Sequence, residues 1–180
     1  MQPMSHVAQL DLRETFASAA SGDEAAFARI VEAFDHEMYR VCVVVCRDPT
    51  IAADAVQSAW SIAWTKLGTI RDPASLRAWL ISVAVNEGRK LLKERRRRFE
   101  IPYVRPGGGT DGDANADSNI DSVDLRLALE RLSPEDRALL ALRYIAGFNA
   151  TELAVAIGLS PPGTRARLAR LLGRLRKELG

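Results

Sequence analysis

The sequence predicts an all-α protein made of two small helical domains joined by a flexible linker, and three observations carry that prediction. Apolar residues recur at spacings of three and four, while alternating β-branched runs are absent apart from VCVVVC at 41–46, which lies inside a helical stripe. Residues 104–122, VRPGGGTDGDANADSNIDS, contain a glycine triplet and almost no large apolar side chain, so they cannot bury a core. That segment divides the 180 residues into an N-terminal block of about 100 and a C-terminal block of under 60. Each is near the lower size limit for independent folding, small enough to lean on a partner.

The elements follow in order. Residues 1–20 read as an N-terminal extension. Ser21 or Asp23 caps a first helix through Ala26, Phe27, Ile30, Val31, Phe34, Met38 and Val41, which stops near Arg47, Asp48 and Pro49. A second helix over 50–67 sets Ile51, Ala55, Val56, Ala59, Trp60, Ala63 and Trp64 on one broad apolar face before Gly68 ends it. A third begins near Pro73, turns Leu76, Trp79, Leu80 and Val83 inward and finishes in KLLKERRRR, closing a module over 21–103. After the linker, 104–123, the second module covers 124–180. It starts with a lead-in helix over 124–131. Ser133, Pro134, Glu135 and Asp136 then supply an N-cap, a first-turn proline and acids at the positive end of a helix dipole. That helix runs to Ile145 and Gly147 ends it. Asn149 and Glu152 form a capping-box start to a short helix over 151–157 that stops at Gly158, and Ser160-Pro161 opens a last helix to Leu179.

Composition narrows the function classes. The chain is 47% hydrophobic, yet no run of about 18 uncharged apolar residues occurs and its start shows no basic stretch leading into an apolar core. We therefore expect no membrane insertion, no secretory signal and a cytoplasmic protein. Cys42 and Cys46, with His36 nearby, superficially suggest a metal or redox site, but a structural zinc site needs four ligands and the thiols lie on an apolar stripe. They read as core cysteines. Trp60, Trp64 and Trp79 likewise read as core residues before stacking surfaces. No Ser-His-Asp set, phosphate-cradling loop or paired-carboxylate pocket is legible, so no cofactor, metal or enzymatic activity is expected.

The net charge of +2 conceals segregation. Residues 1–88 carry −4, 89–105 carry +6, 106–124 carry −5 and 125–180 carry +5. Two basic blocks on either side of an acidic spacer form a footprint for polyanions, nucleic acid first among them. The short helix, the turn at Gly158 and Leu159 and the basic last helix outline a helix-turn-helix, whose second helix lies in the DNA major groove. Ala154 is small enough for close packing of the two. On the last helix Leu168, Leu171, Leu172, Leu175 and Leu179 form an inward stripe, whereas Ala166, Arg167, Arg170, Arg174 and Lys177 fall on the outer side and Arg165 and Arg176 on its flank. Arginine there can hold phosphate or pair bidentately with guanine.

With these segments in view, the chain resembles the extracytoplasmic-function sigma factors of bacterial RNA polymerase. GDEAAFARIVEAFDHEMYRVC, AADAVQSAWSIAW and LRAWLISVAVNEGRKLLKERRRR resemble sigma region two. LRLALERLSPEDRALLALRYIAGFNATELAVAIGLSPPGTRARLARLLGRLRKEL resembles region four.

The resemblance implies a specificity subunit that joins core RNA polymerase through its β and β′ subunits and directs it to promoter DNA, with an anti-sigma factor as a further partner common among relatives. Asp54 and Gln57, in an Asp-x-x-Gln pattern, would dock on the β′ coiled coil; Ser58 stands where relatives usually carry Glu. Asn86 would capture unpaired bases of the minus-ten element, with Arg89, Lys90, Lys93, Arg96 and Arg97 on the backbone. Lys90 occupies a place where many relatives have Asp. The loop over 66–75 would supply a pocket for a flipped base. Arg165, Ala166, Ala169 and Arg170 would contact the minus-thirty-five element, beside the Arg167 and Arg174 suggested by the helical wheel. Pro161-Pro162-Gly163 replaces a commoner single proline. Two other readings stand beside this one: a free-standing helix-turn-helix regulator on a palindromic operator, and a helical interaction protein whose basic tails bind RNA or acidic partners without promoter choice. A metal-dependent enzyme is the weakest option.

Overall fold

A computed structural model describes residues 6–99 and 131–179. The linker and the lead-in helix expected over 124–131 fall almost wholly outside those residues. Among the described residues every regular element is helical: α1 (His6–Ala20), α2 (Glu24–Cys46), α3 (Pro49–Lys66), α4 (Leu76–Phe99), α5 (Pro134–Leu140), α6 (Ala150–Ile157) and α7 (Pro161–Leu179). Short 3-10 turns at Leu67–Thr69 and Pro73–Ser75 join α3 to α4, and a π-helical turn over Ala141–Ile145 continues α5.

Local chemistry sets these bounds. The Asp23 carboxylate accepts from Ala26 N at 3.0 Å, and Asp48 accepts from Thr50 N and Ile51 N, so each acid satisfies amides that the first turn leaves open. Arg47 ends α2 with φ 55°, the only positive φ at a non-glycine residue among those described. In the second module Asn149 and Glu152 complete the expected capping box, with Asn149 Oδ1 accepting from Thr151 N and Glu152 N and the Glu152 carboxylate accepting from Asn149 N. Gly158 closes α6 in the left-handed region at φ 69°, where a Cβ would be strained.

In the first module α2, α3 and α4 pack on one another. Ala52, Ala55, Ala59 and Ala63 are fully buried along one side of α3, and small side chains at this spacing let the helices approach closely. Gly88 serves the same purpose on α4: a Cβ there would meet Cys46 Sγ at 2.7 Å. Residues 6–20, part of the N-terminal extension read from sequence, form α1 and bury Phe16 and Ala19 against this core. The second module closes around Leu139, Leu142, Phe148, Leu153 and Leu171, each at most 2% exposed.

The two modules share one hydrophobic cluster, because α5 and the π turn lie against α2 and α6 lies against α4. Two arginines cross this boundary. Arg137, 8% exposed, donates from Nε to Val45 O at 2.9 Å and from Nη1 to Leu132 O at 2.6 Å. Arg77 donates to the Glu37 carboxylate and to Ala146 O at 2.8 Å.

The cysteines are free and buried, as their place on the α2 stripe predicted. Burial raises both thiols, Cys42 to about 12 and Cys46 to about 11. Trp60 and Trp79 are half-buried, but Trp64 departs from its expected core role and is 44% exposed, its ring edge-on to Phe27 at 5.0 Å.

Candidate nucleic-acid interface

α4 carries the first group of candidate residues. Its early turns are buried through Leu76, Leu80, Ile81, Ala84 and Val85, and its last turns emerge into solvent. Asn86 is exposed, although Gly88 two residues on is buried and Leu91 and Leu92 still pack against the core. Asn86 Oδ1 accepts from Arg89 Nη1 at 3.2 Å, which engages the carboxamide oxygen. Arg89 Nε is buried without a hydrogen-bond partner, alone in this among the described side chains. Lys90 pairs with Glu87 at 3.3 Å and Arg95 pairs with Asp48. Burial works against the Asp48 carboxylate, but hydrogen bonds from Ile51 N, Arg95 and Thr50 N hold it below the usual carboxylate range. Lys93, Arg96, Arg97 and Arg98 are exposed and form no ion pair with the described residues.

α3 presents Asp54 and Gln57 to solvent on one face, three residues apart as expected, and the exposed Ser61 and Trp64 extend that face. Ser58, beside them, is half-buried. The loop over 66–75 carries the two 3-10 turns, with the Asp72 carboxylate accepting from Ala74 N at 3.0 Å.

In the second module α6 and α7 pack on each other as the helix-turn-helix, with Ala154 buried on α6. Leu171 and Leu175 are buried and Leu168 and Leu172 half-buried, so the inward stripe on α7 has the predicted phase through Leu175; the side chain of Leu179 lies outside the described residues. Thr164, 1% exposed, joins it, its hydroxyl donating to Ser160 O at 3.0 Å. Arg165, Ala166, Ala169 and Arg170 are all exposed.

Arg167 is placed differently from the helical-wheel expectation. It turns toward α5 and donates from Nε and Nη2 to Asp136 Oδ1 at 3.2 and 2.9 Å. Arg174, one heptad further on, donates from Nη2 to Asp136 Oδ2 at 2.7 Å. Asp136 is 8% exposed, so both carboxylate oxygens are engaged in a poorly hydrated site. Burial raises its pKa, yet the Arg174 and Arg167 hydrogen bonds and charges prevail and lower it overall. The sequence offered only a local role for Asp136, as an acid in the first turn of a helix. Arg137, which anchors α5 to α2, was likewise unassigned.

Two compact helical modules, one ending in an exposed basic helix and the other built on a helix-turn-helix, define a protein suited to bind nucleic acid at two places. The comparisons with known proteins make this specific. Residues 30–98 match the family model for sigma-70 region 2, and residues 122–175 match that for sigma-70 region 4. The chain is 31% identical over 183 residues to the probable RNA polymerase sigma factor RfaY of Xanthomonas campestris, covering 97% of this chain and 46% of RfaY. It is 30% identical over 132 residues to the RNA polymerase sigma-E factor of Streptomyces coelicolor, covering 73% of each. Among solved structures, CnrH in complex with the cytosolic domain of CnrY superposes with TM-score 0.66 and 25% identity over 93% of this chain and 96% of that one. The chain belongs to the extracytoplasmic-function group of RNA polymerase sigma factors. Matches to both regions, in order along one chain, do not favour a free-standing regulator.

The described helices contain none long and apolar enough to cross a membrane, and no group of three or more His, Cys, Asp or Glu placed to hold a metal ion occurs among the described residues.

Proposed function

We propose that this sigma factor joins core RNA polymerase in the cytoplasm, places its two modules on separate promoter elements and assists strand opening by trapping unpaired bases, with no catalytic activity of its own. The modules comprise residues 21–103, with α1 packed on their core, and 124–180, with 104–123 as the tether. The single observation that carries this assignment is the exposure of two different basic helices, α4 and α7, in modules matching regions 2 and 4.

Asp54 and Gln57 on the open face of α3 dock on β′, while the second module meets β. Asn86 reads a base of the minus-ten element. Its carboxamide oxygen is held by Arg89, so the donor side is the one offered to a base acceptor. Lys90, Lys93, Arg96 and Arg97 hold the neighbouring backbone by charge, which is insensitive to sequence. Arg165, Ala166, Ala169 and Arg170 face the minus-thirty-five element, the alanines letting the helix approach the groove and the arginines supplying donors. Arg167 and Arg174 border that face. The solved complex of CnrH with the cytosolic domain of CnrY supports extending an anti-sigma partner to this chain.

Because two weak contacts on one body act at high effective local concentration, promoter affinity depends on polymerase holding the modules in place. The test is equilibrium binding of promoter fragments by the chain alone and by the chain with core polymerase. We expect weak, poorly selective binding alone and tight, selective binding in the complex; equal affinity in both contradicts the proposal.

A further inference from the structure

We propose that Asp136 is the positioning residue for the recognition helix: by clasping Arg167 and Arg174 it fixes the roll of α7 about its axis and draws two cations toward α5, so that Arg165 and Arg170 lead the helix into the groove. This rests on the sigma-factor reading of the helix-turn-helix.

The geometry supports the assignment from both sides. Arg167 and Arg174 are seven residues apart, two turns along one side of α7, and each reaches a different oxygen of the same carboxylate. A single attachment permits a helix to rotate, whereas two attachments two turns apart fix both its rotation and its axial position. Asp136 is itself held, since its backbone N donates to Ser133 Oγ at 3.1 Å and the next residue, Arg137, is anchored to Val45 O. The carboxylate is therefore a fixed point for α7.

The electrostatic consequence is separate from the geometric one. A guanidinium engaged with a buried carboxylate is partly neutralised and contributes less to counterion release when DNA binds, more so for Arg167, whose side chain is 34% exposed, than for Arg174 at 61%. Arg165 and Arg170, and Arg176 and Lys177 near the end of the helix, are exposed cations that carry no ion pair among the described residues. Selectivity improves when sequence-blind charge is removed from a reading face, because affinity for random DNA falls further than affinity for the correct site.

The decisive variant is Asp136→Asn, measured in complex with core polymerase on promoter and random duplexes across a salt series. We expect promoter selectivity to fall by about tenfold, affinity for random DNA to rise, and the salt dependence to steepen by one to two counterions, about 0.9 for each freed arginine. A merely structural role would weaken binding to both duplexes and leave the salt slope flat or shallower, which overturns the proposal. Arg167→Gln tests the same point even if Asp136→Asn fails to fold. The clasp predicts lost promoter selectivity with undiminished affinity for random DNA, whereas an Arg167 that contacts phosphate predicts weaker binding to every duplex and contradicts the inference. Wild-type complex that prefers no promoter over random sequence defeats the sigma-factor reading itself. Wild-type preference that Asp136→Asn leaves unchanged defeats only the clasp.

Discussion

The basic end of α4 and the basic face of α7 carry comparable positive charge, yet they are supported differently. On α4, Lys93, Arg96, Arg97 and Arg98 project beyond the core with no ion pair among the described residues, and close packing near Gly88 supports the helix beneath them. On α7, a carboxylate from another helix ties two of the cations down and the packing is topped by Arg165 and Arg170. Loose charge suits a duplex or single strand whose phosphates need only be attracted. Tethered charge suits a helix that must enter a groove at one angle. The difference suggests that the basic end of α4 grips, leaving base reading in that module to Asn86, while the basic face of α7 reads.

The largest effect is expected where the platform beneath α7 is anchored. Arg137→Ala removes two hydrogen bonds to carbonyls from a charged donor, and we expect a loss of about 3 kcal/mol, read by urea denaturation of the full chain. Next comes the packing beneath α4. Gly88→Ala forces a Cβ against Cys46 Sγ, and about 1–3 kcal/mol of destabilisation is expected, partly recovered by Cys46→Ala in the same chain. No recovery would mean that the close approach is not what limits this site.

Substitutions on the DNA-facing surfaces sharpen the contrast directly. Arg170→Ala is expected to cost about 1–3 kcal/mol on the correct upstream element and little elsewhere. Arg96→Ala should weaken binding to all sequences and reduce the salt slope by about one. Equal loss on every sequence from both variants would erase the distinction between gripping and reading. The smallest effect concerns acid. Asp136 and Asp48 have pKa values lowered in the folded chain, so their stabilising contributions are complete above the ordinary carboxylate value, about 3.9, and fade as pH falls through the lower folded-state values. Denaturation between pH 7 and pH 3 should show a weaker acid loss in Asp136→Asn than in wild type.

Much of the fold was legible because it is encoded locally. The Asn149–Glu152 capping box, the Gly158 stop, the Ser133-Pro134 start and the α2 stripe depend on residues within one or two turns of each other, and the structure shows each of them. α1 escaped notice because its mixed side chains show weak periodicity and its helix is completed by docking Phe16 and Ala19 on the core. The Asp136 clasp was hidden for another reason. Its partners lie 31 and 38 residues away, and a first-turn acid already has a sufficient local explanation in the helix dipole. The helical wheel placed Arg167 outward because it orders residues around one helix and contains nothing about the neighbour. Arg137 reaches Val45 across 92 residues, which no pattern of spacing reports.

Run-off transcription offers the most direct test. Purified core polymerase, stripped of its resident specificity subunit, is supplied with this chain and a library of bacterial promoter templates. The account predicts transcripts from a defined subset that share two spaced sequence elements, and loss of those transcripts when Asp54 and Gln57 are both replaced by Ala. Absence of any transcript above that of core polymerase alone, across every template, would contradict it.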